Sequence, residues 1–245
     1  MYKKIIFKFL SLFNLELKKK NFDYFPIEAN KFEKKIIKKS LNFSMTNNIR
    51  MFSLVNAFKH VINNNIKGDF VECGVWKGGN IILLQKLIEK YSVLNKKIYA
   101  YDTFMGMSHF SKYDFTDNFI HASDLIKKDK KAVCHSSLEE FKNNFHRNTK
   151  SNKNLVIIKG EVEKTLINKK NLSKKISILR LDTDYYSSTK IELEVLWPRL
   201  SKGGVLIIDD YGYWRGCKKA VDEFFKKHYP LLVHIDKTCR LLVKV

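Results

Sequence analysis

The sequence predicts an α/β protein with a doubly wound, mostly parallel, seven-stranded sheet of the Rossmann-like kind. Two observations carry that expectation. Short, continuously apolar runs alternate with amphipathic helical segments from about residue 66 onward, the pattern of strands covered on both faces. Glycines or acidic residues follow several of those runs, where such sheets hold their ligands.

Residues 1–65 read as a helical annex and 66–245 as the main domain. Ile5, Ile6, Leu10, Leu12, Phe13 and Leu15 fit one broad face of a basic helix over residues 1–20. That helix would lie on a membrane surface with its lysines at the headgroups, or pack on the main domain or a second subunit of a homo-oligomer; packing is the favoured reading. Lys8 interrupts the apolar run and no small-residue cleavage site follows, which argues against a signal peptide or a membrane span. Further helices are expected through Lys31–Lys39 and Arg50–Asn63. Asp69–Cys73 reads as the first strand, Asn80–Tyr91 as a helix and Lys97–Tyr101 as the second strand, closed by Asp102. Thr103 to about Lys131 is largely polar and aperiodic, and a lid-like insertion is expected over about 103–135. Asn154–Ile158, Ile176–Leu181 and Val205–Ile208 read as strands, Lys190–Leu200 and Cys217–His228 as helices. Leu231–Ile235 and Arg240–Val245 resemble a terminal β-hairpin.

Composition narrows the class. A chain of 245 residues with 44% hydrophobic content and three prolines is globular, not fibrous or disordered. The net charge is +21, yet arginine supplies only six of the 46 basic residues. Lysine on solvated faces accounts for this better than nucleic-acid recognition, which favours arginine forks and interleaved aromatics, so no specific nucleic-acid partner is expected. The four cysteines form no CxxC pair, which leaves zinc and redox motifs unsupported and fits a reducing cytoplasm.

The first strand runs into Glu72-Cys73-Gly74-Val75-Trp76-Lys77-Gly78-Gly79-Asn80. A glycine at a strand-to-helix turn lets a ligand approach the backbone, and the helix start offers free N–H groups. A dinucleotide site would place glycine against a pyrophosphate. The carboxylate of Glu72 would repel one, and suits a ligand with an ammonium and no phosphate, as S-adenosylmethionine has. Asp102, before Thr103, can accept bonds from ribose hydroxyls. Two further strands end in Asp182-Thr183-Asp184 and Asp209-Asp210. Carboxylates gathered at one sheet edge repel unless a cation or protons compensate, and a hard divalent ion such as Mg²⁺ prefers oxygen ligands. Such a site can bind a substrate hydroxyl and lower its pKa. His109, His121 and His135 fall in or beside the insertion and read as solvated loop residues.

The segments GDFVECGVWKGGN, YDTFMGM and LRLDTDYYSSTKIELEVLWPRLSKGGVLIIDDYGYWRGCKKAVDEFF resemble the macrocin O-methyltransferase family, sugar O-methyltransferases of the macrolide and novobiocin type. The likeness runs from about Gly68 to Phe225. It implies a class I methyltransferase fold with S-adenosylmethionine and Mg²⁺, and metal ligands at Asp182, Asp209 and Asp210. Asp182 would also take, or help to position the group that takes, the hydroxyl proton. Glu72, Gly74, Trp76, Asn80, Asp102 and Thr103 would line the cofactor site, with Gly160 near the adenine. Related catechol-type enzymes carry a lysine base three residues past the first aspartate; Tyr185 stands there, and Thr183 stands where many members have glycine.

The function expected is methylation of a sugar hydroxyl on a small, lipid-linked or nucleotide-linked saccharide, at the cytoplasm or the inner membrane face. One alternative is methylation of nucleic acid or another acceptor. A lesser one is a glycosyltransferase with Asp182-Thr183-Asp184 as its DxD motif, which leaves Asp209-Asp210 unexplained.

Overall fold

The computed structural model describes residues 25–93, 95–107, 109–129, 133–227 and 229–245; the helix expected over 1–20 lies outside them. Two helices lead in, α1 (Lys31–Ser40) and α2 (Asn48–Asn63). Each starts on an asparagine whose side chain accepts a first-turn amide, Asn30 from Glu33 and Asn47 from Arg50. The Glu33 carboxylate returns the bond to the Asn30 amide, so two otherwise orphaned donors are satisfied together.

Then follow β1 (Asp69–Cys73), α3 (Gly79–Tyr91), β2 (Ile98–Asp102), α4 (Ala122–Lys128), α5 (Leu138–Asn148), β3 (Leu155–Lys159) and the single turn α6 (Val162–Thr165). The chain ends with β4 (Ile176–Leu181), α7 (Tyr186–Leu196), β5 (Leu200–Ile208), α8 (Arg215–Phe225), β6 (Val233–His234) and β7 (Arg240–Val243). The seven strands lie in the order β3-β2-β1-β4-β5-β7-β6. β1 to β5 pair in parallel, whereas β7 runs antiparallel to both neighbours. The chain reverses direction across the sheet between β1 and β4, and a crevice opens there at the strands' carboxyl ends.

Successive strand residues face opposite layers. Phe70, Ile178 and Ile207 pack with α1, α2, α3 and α5 through Ile37, Met51, Phe58, Leu83 and Phe141. Their neighbours Val71, Leu179 and Ile208 pack with α7 and α8 through Leu193, Val221 and Phe225. The leading helices therefore share one core with the sheet.

Three segments differ from the sequence expectation. Helix α7 starts and stops about one turn earlier, and Pro198 sits in the 3₁₀ turn that follows it. Helix α5 was not anticipated, although Ser137 caps the Glu140 amide and Phe141 and Phe145, one turn apart, are fully buried. The insertion is anchored along part of its length. Asp114, fully buried, accepts the Tyr186 amide at 2.8 Å at the start of α7, and the Phe115 carbonyl accepts the Arg215 amide at 2.8 Å at the start of α8. A Cβ on Gly216 would come within 1.8 Å of the Asp114 carboxylate, so this docking requires glycine. Polar docking of this kind leaves no hydrophobic period to read. Among the described residues no helix is long and apolar enough to cross a membrane.

Candidate active site

A cavity of about 450 Å³ opens at the carboxyl ends of β1, β2, β4 and β5, within the size of a small-ligand site. Every residue expected at the cofactor site lines it: Glu72, Gly74, Trp76, Asn80, Asp102, Thr103 and Gly160. So do Asp182, Asp209 and Asp210, together with Asp184 and Arg50, which the motif reading did not assign.

At the end of β1 the backbone turns sharply and passes close to the start of the Asp182 segment. Gly74 has φ +82°, and a Cβ there would stand 1.9 Å from the Asp182 carbonyl oxygen. The turn is held by Asp102, whose carboxylate accepts the Val75, Trp76 and Phe104 amides at 2.8, 2.9 and 2.7 Å. Asp102 thus fixes the glycine turn as well as facing the cavity. Thr103 donates its hydroxyl to the Gly106 carbonyl at 2.7 Å, and the Trp76 indole donates to the His135 carbonyl at 3.3 Å, tying the insertion to the turn.

Glu72 is 2% exposed. Its Oε1 accepts from Asn80 at 2.9 Å and from Arg180 at 2.6 Å, while the buried Oε2 has no partner. Burial pushes this carboxyl up to about 7, against the opposing pull of the Arg180 guanidinium.

On the other side, carboxylate oxygens of Asp182, Asp184 and Asp210 lie within 4.8 Å of one another. Asp184 adopts φ +69°, a left-handed conformation that aspartate tolerates better than most residues, and this brings its carboxyl group to Asp210. Burial raises the pKa of Asp182 to about 6, partly offset by Arg180. Burial and the surrounding carboxylates hold Asp184 and Asp210 well above the usual carboxylate range. An all-oxygen donor set whose charges repel fits a hard divalent cation.

Asp209 sits behind that cluster. Arg180 donates to its Oδ1 and Arg50 to its Oδ2. Arg50 reaches in from α2 and also bonds Asp236 at 2.7 Å, so a helix of the N-terminal region closes this end of the site. Arg180 itself, 3% exposed near the end of β4, bonds both Glu72 and Asp182 at 2.6 Å. Sequence reading missed both arginines. The signal for Arg180 was present, since it is the one charged residue in the otherwise apolar run before Asp182.

Tyr185 is no substitute for a lysine base. It is 3% exposed, packs edge-on against Trp214 and directs its hydroxyl to the Met107 sulfur, and burial raises its pKa further. Thr183 donates to Glu192 at 2.9 Å, a buried carboxyl held well above its usual range chiefly by desolvation. None of the three insertion histidines reaches the carboxylate cluster by a hydrogen bond: His109 is 84% exposed beside Glu161, His121 bonds within the insertion, and His135 offers its carbonyl to Trp76.

The antiparallel hairpin beside β5, joined to a parallel doubly wound sheet, is the architecture of the class I methyltransferases. Solved structures agree. The O-methyltransferase NovP superposes with a TM-score of 0.74 at 28% identity, over 83% of this chain and 82% of that one. A calicheamicin methyltransferase gives 0.62 at 17% identity over 93% and 97%, a likeness of fold. The chain belongs to the macrocin-O-methyltransferase (TylF) family, whose model matches residues 4–243. Its relatives include a demethyldecarbamoylnovobiocin O-methyltransferase of Streptomyces niveus, 30% identical over 73% of this chain and 66% of that protein. A mycinamicin III 3''-O-methyltransferase of Micromonospora griseorubida is 29% identical over 73% and 68%. The chain thus spans about two-thirds of the length of these relatives.

Proposed function

We propose that this chain transfers the methyl group of S-adenosylmethionine to a hydroxyl of a sugar or glycoside, with Mg²⁺ or another hard divalent cation at the carboxylate cluster. One observation carries the reading. Glu72 and the Asp182–Asp184–Asp210 cluster line one cavity, so an ammonium-bearing donor and an oxygen acceptor can meet within it. The family, and relatives named as O-methyltransferases of novobiocin, tetracenomycin and mycinamicin compounds, support the acceptor class. The same membership sets the glycosyltransferase reading aside.

In this reading the Glu72 carboxylate pairs with the donor's ammonium, and the turn at Gly74, held by Asp102, forms the adjoining wall. Asp182 stands between the two halves and takes the acceptor's hydroxyl proton, because Tyr185 faces away and no lysine occupies its place. The cation, when bound, supplies Lewis acidity that lowers the hydroxyl pKa and holds it in line with the methyl group. The walls contributed by Met45, Met107, Leu125 and Tyr213 exclude water and receive the rest of the acceptor.

Mass spectrometry for a methyl-sized gain on candidate glycosides tests the activity. Exhaustive chelation is expected to remove turnover and added Mg²⁺ to restore it; full activity in the chelated enzyme refutes the metal's role. The ligand set makes a separate prediction. Asp182, Asp184 and Asp210 converge, whereas both Asp209 oxygens are held by arginines. Asp184→Asn should therefore weaken Mn²⁺ binding by calorimetry about tenfold or more. Asp209→Asn should act mainly on stability, costing about 3 kcal/mol because it leaves two guanidiniums short of a buried partner. The opposite pattern would make Asp209 the ligand.

A further inference from the structure

Arg180 occupies a position that neither the expected chemistry nor the cofactor motif accounts for. Its guanidinium is buried at the carboxyl end of β4, between the two halves of the cavity. A single nitrogen, Nη1, donates at 2.6 Å both to Oε1 of Glu72 on the donor side and to Oδ2 of Asp182 on the acceptor side. The other terminal nitrogen donates to Asp209, which Arg50 holds from the far side. One rigid plane thus fixes three carboxylates from three different strands, β1, β4 and the end of β5. Lysine, a point charge on a flexible stem, could not set that geometry.

Charge makes the sharing consequential. Glu72, Asp182, Asp209 and Asp236 share two arginines, Arg50 and Arg180, and Asp184 and Asp210 stand beside Asp182. When all six are ionised, the two guanidiniums leave an excess of negative charge. A divalent cation at the cluster and a ligand ammonium at Glu72 would reduce it. A cation held by Asp182, Asp184 and Asp210 would compete with Nη1 for the Asp182 carboxylate. Glu72 would then have that donor to itself, which would fix its carboxyl group in the cavity wall.

We propose that Arg180 is a positioning residue that couples the two halves of the site, so that filling the cation position tightens the hold on the methyl donor. This rests on the functional reading above and adds a direction to it. Binding coupling is reciprocal, so the donor must tighten the cation by the same factor.

The experiment is calorimetry on the full-length protein with S-adenosylhomocysteine, without metal and with saturating Mn²⁺, and the reverse titration. The wild type is expected to bind S-adenosylhomocysteine roughly fivefold tighter or more with the cation present, and Mn²⁺ tighter by the same factor. In Arg180→Lys, which keeps the charge and loses the fork, both ligands should still bind, with the mutual factor within about twofold of unity. A purely structural role would lower the melting temperature and weaken both ligands without changing that ratio. Equal or weaker donor binding with Mn²⁺ in the wild type overturns the proposal, as does a full coupling factor in Arg180→Lys. If Arg180→Lys does not fold, the wild-type factor decides alone. Failure of the wild type to bind either ligand would overturn the functional reading itself, a result distinct from independent binding of both.

Discussion

Asp182→Asn removes turnover, with a loss on the order of 10²- to 10⁴-fold in kcat expected for a missing proton acceptor. The substitution is nearly isosteric and keeps a hydrogen-bond acceptor for Arg180, so the guanidinium is not stranded. Two effects coincide in the loss. The group that takes the hydroxyl proton is gone, and one of the three converging carboxylates loses its charge. Affinity for S-adenosylhomocysteine should stay near the metal-free wild-type value, because Glu72, Asn80 and the glycine turn are untouched. Single-turnover kinetics beside calorimetry separates the two quantities. Wild-type kcat in Asp182→Asn would place proton transfer elsewhere, and loss of cofactor binding would make Asp182 part of the donor site.

Gly74→Ala is expected to damage both stability and the site. Gly74 lies at φ +82°, and the added Cβ would meet the Asp182 carbonyl oxygen at 1.9 Å. Neither atom belongs to a side chain that can swing aside, so β1 and β4 must separate at their carboxyl ends. A left-handed conformation and a backbone clash together cost about 3 kcal/mol or more. For a chain of this size that is a fall of roughly 10 °C in melting temperature. Because the displaced atom belongs to Asp182, cofactor and cation binding should both weaken. A melting temperature and ligand affinities equal to wild type would show that the close approach of the two strands is not required.

The strands were legible because each is a short, largely apolar run bounded by glycine or acidic residues: Asp69–Cys73 and Ile176–Leu181 form where the pattern places them. The mostly parallel sheet and the terminal hairpin followed from alternation and from the two apolar runs at the chain's end, whereas the order of the strands is set by the tertiary structure. Helix α5 and the docked part of the insertion were not legible. Both lie in polar sequence, and what fixes them is a serine cap and a buried aspartate on another helix's first amide.

The site divided the same way. Sequence alone determined that Glu72, Gly74, Asp102, Asp182, Asp209 and Asp210 stand at or just beyond the carboxyl ends of strands, since strand ends and residue types are local properties. Only the tertiary structure decided what each touches. Asp102 binds the glycine turn, Asp184 turns toward Asp210, and Asp209 is taken by two arginines, one of them from a helix 159 residues away in the chain. Hydrogen bonds across that separation leave no spacing in the sequence to read, and Arg180, which joins the two halves of the cavity, gains its partners only when β1, β4 and β5 lie side by side.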